Sequence, residues 1–107
     1  MANTFKNAGI AVGTTRTTLY TCPAATQAVI HALYVSNIDG VNDAVATIEI
    51  TVDGGTTYRH IGKTVPVPAD STLILDKPIN LEAGDILALT ASVAGDLEAV
   101  VAILEIA

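Results

Sequence analysis

The sequence predicts an all-β chain: an antiparallel β-sandwich, jelly-roll-like, of about eight strands in a single domain. Three observations predict it. Val, Ile and Thr recur throughout, and these side chains suit a pleated, half-buried surface. Apolar and polar residues alternate with period two in several short runs, with no sustained helical periodicity. Turn sequences containing glycine punctuate these runs at the spacing of an antiparallel sandwich.

The elements follow in order. Residues 1–9, MANTFKNAG, are polar and aperiodic. They are read as the start of an N-terminal arm, 1–12, with Phe5 as its anchor and a short extended piece at Ile10–Val12; the sandwich domain is then 13–107. Arg16–Cys22 is a Thr-rich strand that stops at Pro23. Ala28–Asn37 is a long strand with Val29, Leu33 and Val35 on one face. Ala44–Val52 alternates most cleanly: Ala44, Ala46, Ile48, Ile50 and Val52 face the core, and Thr47, Glu49 and Thr51 face solvent. Thr57–Val65 follows the Asp53-Gly54-Gly55 turn. Pro66 and Pro68 mark an exposed connection, because proline cannot donate to a sheet ladder. Thr72–Leu75 leads through Asp76-Lys77-Pro78 into Ile79–Leu81. Asp85–Val93 carries Leu87, Leu89, Ala91 and Val93 on one face, and Leu97–Ile106 closes the chain. Ala83-Gly84-Asp85 and Ala94-Gly95-Asp96 supply glycines where tight turns need positive φ.

Composition narrows the function. Half of the 107 residues are apolar and 15% are charged, which excludes a disordered segment. So few charges leave surface for a partner to cover. The net charge of −6 argues against nucleic acid. The charge is uneven: residues 1–38 hold Lys6 and Arg16 and no acid, giving +2, while 39–107 hold three bases and all eleven acids, giving −8. Such polarity can orient contacts between copies or with a larger assembly; equally, acids simply favour the later loops. Cys22, the single cysteine, is expected to be a buried, inert thiol. No secretory signal or membrane-spanning run is visible, so a soluble protein made in a cytoplasm is expected.

Catalytic and metal signals are weak. Asp39, Asn42 and Asp43 in DGVND lack the spacing and terminal Glu of a calcium loop and read as a hairpin turn. His31, within an apolar strand, reads as a core histidine. His31, His60 and Cys22 lie on separate strands and give no zinc spacing. No nucleophile, base or paired carboxylate stands out, so neither an enzyme nor a cofactor is expected. Tyr58, Arg59 and His60 form either a small polar contact patch or the solvent face of a strand. The candidate interface residues are Phe5, Ile10, Val12 and Arg16 at the arm end, and Tyr34, Tyr58, Arg59 and His60 on the sheets.

About three-quarters of the chain, from Thr17 onward, carries LYTCPA (19–24), a strand ending in Ser36-Asn37, VPADSTLILDKPINLEAGDIL (67–87) and AGDLEA (94–99). In these parts it resembles small β-sandwich virion structural proteins of tailed bacteriophages. The resemblance implies a non-enzymatic capsid decoration (cement) protein, or a neck, tail or fibre accessory, with no active-site residues to carry over. It implies a major capsid protein or other virion protein as partner and a place in the virion after synthesis in the host cytoplasm; the sparse, uneven charge adds the expectation of a homo-oligomer, and the acidic balance and short apolar runs that of neither nucleic acid nor membrane as partner. A carbohydrate- or receptor-binding module is the alternative from another class.

Overall fold

A computed structural model describes residues 2–107, and among them there are nine strands and no helix. The strands are β1 (Asn3–Ala11), β2 (Thr17–Thr21), β3 (Gln27–Asn37), β4 (Ala44–Thr51), β5 (Arg59–Val67), β6 (Thr72–Leu75), β7 (Ile79–Leu81), β8 (Ile86–Ala91) and β9 (Leu97–Ile106). One sheet has the order β1-β9-β3-β6, with β7 also paired to β3; the other is β2-β8-β4-β5. Every pairing is antiparallel. Because β6 and β7 pair with successive stretches of β3, they share one lane, and nine strands fill eight lanes. The pairings are nested: β4 with β5, β3 with β6 and β7, β2 with β8, β1 with β9. The chain is thus one long hairpin rolled into a jelly-roll-like antiparallel β-sandwich, as the alternation and the turns predict.

The core lies between the sheets. Ile30, Leu33, Val35, Val101 and Ile103 from the first sheet meet Ile48, Leu87 and Leu89 from the second, all essentially inaccessible. The register in β3 departs from simple alternation. Ile30 pairs with Ile103 but Ala32 pairs with Ala102, so His31 is an extra residue in a β-bulge. Ala28 and Ile30 therefore point inward before the bulge, and Leu33 and Val35 after it. Val29 faces outward, contrary to the expected grouping with Leu33 and Val35. His31 is exposed rather than a core histidine, with its ring 6.1 Å from that of Phe5.

The N-terminal segment also differs from the expected arm. Met1 lies outside the described residues. Asn3–Ala11 is an edge strand, matched to β9 in unbroken register from Asn3↔Ile106 to Ala11↔Glu98. Ala8 and Ile10 pack against the core, and Val12 is 1% exposed within it. Pro66 lies inside β5 rather than in a connection; β5 is an edge strand, where a missing N–H is tolerated.

Polar contacts tie the two sheets together: Asn37 Nδ2 on β3 donates to Val67 O on β5 at 2.9 Å, and Glu105 bridges from β9. Glu105 is buried on the inner face of β9. Its Oε2 accepts from the Tyr20 hydroxyl on the opposite sheet, and its Oε1 lies 3.1 Å from Lys6 Nζ on β1. The Tyr20 hydroxyl holds the Glu105 carboxyl below its ordinary value of 4.5; burial opposes this, and Lys6 reinforces it. The same pairing and its own burial push the Tyr20 phenol upward.

Two outcomes follow from this packing. Ile48→Ala should cost about 2–5 kcal/mol by urea denaturation, and the half-buried Ile50→Ala less. A lowered carboxyl pKa contributes stability above the ordinary value and loses it as pH falls through the folded-state value. The urea midpoint should therefore fall as the pH drops below about 4.5, and Glu105→Gln should flatten that fall.

Candidate interaction surfaces

The two outer faces of the sandwich differ in chemistry. On the β2-β8-β4-β5 sheet, Thr18, Ala88, Glu49 and His60 stand in one row across four strands. Glu49 points outward, as expected from the alternation, yet its side chain is 7% exposed. The cause is Arg16, which reaches across β8 from the residue before β2. Its Nε donates to Glu49 Oε1 at 3.2 Å and its Nη2 to Oε2 at 3.1 Å. Ala88, the β8 residue in that row, is fully buried although it faces out, and its methyl group leaves room for the crossing side chain. The guanidinium lies 3.8 Å from the centre of the Tyr58 ring, a cation–π contact. His60 Nε2 sits 3.7 Å from Glu49 Oε2. The guanidinium's affinity for protons rises through its hydrogen bond to Glu49.

Arg16, a candidate at the arm end, and Tyr58 and His60, candidates of the TYRH patch, thus gather around one carboxylate. Arg59 is exposed at the start of β5, outside this contact set. Glu49 was missed as a site residue; its partner lies 33 positions away, and nothing local in the sequence signals the pair. The cluster is internally satisfied: acceptor, guanidinium and aromatic face all have partners. It braces β2 to β4 and offers no vacant ligand position.

The outer face of the other sheet is apolar. Its cross-strand rows read Phe5–Leu104–Val29–Asn80, Asn7–Ala102–Ala32, Gly9–Val100–Tyr34–Ile74 and Ala11–Glu98–Ser36–Thr72. Glu98 carries the single formal charge in these rows. Phe5 is 78% exposed, Ile74 54%, Val100 49% and Tyr34 40%. Phe5 and Tyr34 therefore belong to one continuous surface, whereas Ile10 and Val12 point into the core and offer nothing to a partner.

The sandwich end carrying the β3–β4, β5–β6 and β8–β9 loops is acidic. Asp39 accepts from the backbone of Val41 and Asn42 in a turn, and these bonds hold its carboxyl low. Asp96 is pushed up by burial and by the Asp39 charge beside it. An open cleft of about 500 Å³ at the opposite end is lined by Ala25, Thr26, Gln27, Glu82, Ala83, Ile106 and Ala107. One carboxyl among apolar and amide groups supplies no acid–base pair. Among the described residues, no three His, Cys, Asp or Glu side chains group to hold a metal ion.

No family model matches the sequence, and no curated protein does. Solved structures share the fold. A chain of Bacillus endospore appendages, described as disulfide-linked pili, superposes with a TM-score of 0.57 at 13% identity over 97% of this chain and 84% of its own. A chain of the acid-stable capsid of Helicobacter pylori bacteriophage KHP30 gives 0.56 at 10% identity, over 98% and 87%. A chain of the T13 infectious bursal disease virus particle gives 0.58 at 12%, over 96% of this chain and 30% of its own. At these identities the likeness is one of fold.

The Arg16–Glu49 pair is half-exposed on one side and buried on the other. Glu49→Ala should cost about 1–2 kcal/mol, and a double-mutant cycle with Arg16→Ala should give a coupling near 1 kcal/mol in urea melts.

Proposed function

We propose that this chain is a non-enzymatic structural protein of a tailed-phage virion, a decoration protein that binds the assembled head and stabilises it. The observation that carries the reading is the outer face of the β1-β9-β3-β6 sheet. A monomer in water seldom leaves such a continuous apolar surface uncovered. Four lanes about 4.8 Å apart and strands of nine residues at about 3.4 Å each give a face of roughly 600 Å². Against an equal area of partner that makes roughly 1,200 Å², the lower end of a stable specific interface. A single copy would bind modestly, and many copies on a repeating shell would bind by avidity. Near-absence of charge on this face calls for an apolar patch on the coat subunit rather than a charged one.

Two further observations support the reading. The charged groups at the centre of the opposite face, Arg16 and Glu49 with His60 beside them, are spent on one another, as expected for a face left to solvent. The fold is shared along nearly the whole chain with a phage capsid chain and with part of a virus-particle chain. A neck, tail or fibre accessory would use the same surface in a ring of few copies.

Electron microscopy of the parent particle separates these outcomes. Density for this chain in hundreds of copies on the head is expected. About a dozen copies at the neck or tail would move the protein to the accessory class. Absence from the particle together with glycan binding by the purified protein would overturn the proposal.

A further inference from the structure

A β-sandwich has four edge lanes, and each exposes unpaired backbone groups that invite another strand. Three edges of this one are blocked. The lane of β6 and β7 is interrupted by Asp76-Lys77-Pro78. β2 is five residues long, with a register break at Leu19. β5 carries Lys63 and Pro66, and its register against β4 shifts twice. Thr64 there adopts φ 48°, a conformation disfavoured for a β-branched residue. At Gly62 a Cβ would stand 2.9 Å from Val65 Cγ2, so any larger residue there would force the Val65 side chain to move.

β1 has one such device, the inward-pointing Lys6, which is drawn down onto Glu105, and lacks the others. It is nine residues long, straight in register, free of proline, and its one charge, Lys6, is turned inward to Glu105. Ala2 and Ala107 exchange both backbone hydrogen bonds, and Val12 N–H donates to Leu97. In an antiparallel ladder bonded pairs alternate, so the even-numbered residues of β1 spend their backbone groups on β9. Asn3, Phe5, Asn7, Gly9 and Ala11 direct theirs to the open edge.

We infer that β1 pairs antiparallel with β1 of a second copy about a two-fold axis at Asn7. Only odd residues can bond across this edge, and the register that overlaps all nine residues, Asn3 opposite Ala11 and Asn7 opposite itself, pairs odd with odd. It sets Lys6 opposite Ala8, so no like charges face each other. It sets Phe5 opposite Gly9 on the outer face. Gly9 is a second, independent observation. Its φ is not positive, and a Cβ would meet Ala99 O and Val100 Cγ2 at 3.6 Å, ordinary contacts. Nothing within the chain requires glycine there, yet glycine weakens a strand. A Phe5 ring turned from His31 onto the partner's Gly9 uses the vacancy. The two sheets then become one, and the apolar platform doubles. The inference concerns the free protein at concentrations where it dimerises and does not rest on the virion reading; in the dilute monomer Phe5 stays exposed.

Analytical ultracentrifugation of the full chain tests it. The wild-type protein should be a concentration-dependent dimer. Asn7 is exposed and its N–H faces the open edge, so Asn7→Lys and Asn7→Asp should each fold normally by circular dichroism and weaken association about ten-fold or more through like charges at the axis. An equimolar mixture of the two should recover a heterodimer. Gly9→Val should stay folded and weaken the dimer by closing the Phe5 seat. Ile74→Lys, on the sheet face, should leave it intact. A monomeric wild type, N7K and N7D homodimers of undiminished affinity, failure of the mixture to associate, or a dimer broken by I74K would each overturn the inference.

Discussion

The ladder between β3 and β9 is the interaction on which the rest of the structure depends. It joins residues 27–37 to 97–106 and lies at the middle of its sheet, with β1 on one side and β6 and β7 on the other. Its inner side chains supply much of one wall of the core. Its outer side chains set the rows of the apolar face. The bulge at His31 keeps both assignments consistent: were His31 to take a regular place in the ladder, Leu33 and Val35 would turn outward once Ala28 and Ile30 faced in. Closing this ladder also closes most of the chain into a loop, so the nested hairpins inside it are held at little further entropic cost.

Polar groups are distributed so that the two outer faces differ. Three carboxylates are buried: Asp85 accepts from the Glu82 backbone N–H in its turn, and two are answered by long side chains from other strands, Glu105 by Tyr20 and Lys6 and Glu49 by Arg16 with His60 close by. The three basic or imidazole groups of these clusters, Lys6, Arg16 and His60, are thereby held near the sandwich itself. What is left outside on the β1-β9-β3-β6 sheet is hydrocarbon, amide and hydroxyl, with Glu98 the one formal charge in its rows. A partner meeting that face loses little charge hydration, and its binding is dominated by apolar burial.

The sequence made the central strands legible because they are half-buried. Alternation in Ala44–Ile48 and Leu97–Ile106 reads directly as inside and outside, whereas at the end of β4 Thr51, expected outside, is buried and Val52, expected inside, is exposed; the two Ala-Gly-Asp turns place glycine at φ 86° and 85°. What escaped has a physical cause in each case. Asn3–Asn7 is exposed on both faces at an edge, so burial imprints no hydrophobic period on it, and a strand reads as an arm. A bulge inserts one residue, and where Val29 and Ile30 are both apolar the pattern does not show which faces in. Pro66 is a breaker only where its N–H would be needed. Of the candidate contact residues, Phe5 and Tyr34 fall on one surface, while Arg16, Tyr58 and His60 gather on the other sheet around Glu49, a grouping set by strand order rather than by spacing in the chain. Ile10 and Val12 show ordinary core alternation and belong to the core.

Hydroxyl-radical footprinting of the protein, free and on its particle, tests the central claim most directly, because aromatic and large aliphatic side chains report their own exposure. The account predicts that Phe5, Tyr34, Ile74 and Val100 become protected on the particle while Tyr58 and His60 stay as reactive as in the free protein. Protection of Tyr58 and His60, with Phe5 and Tyr34 still reactive, would place the contact on the opposite sheet and contradict it.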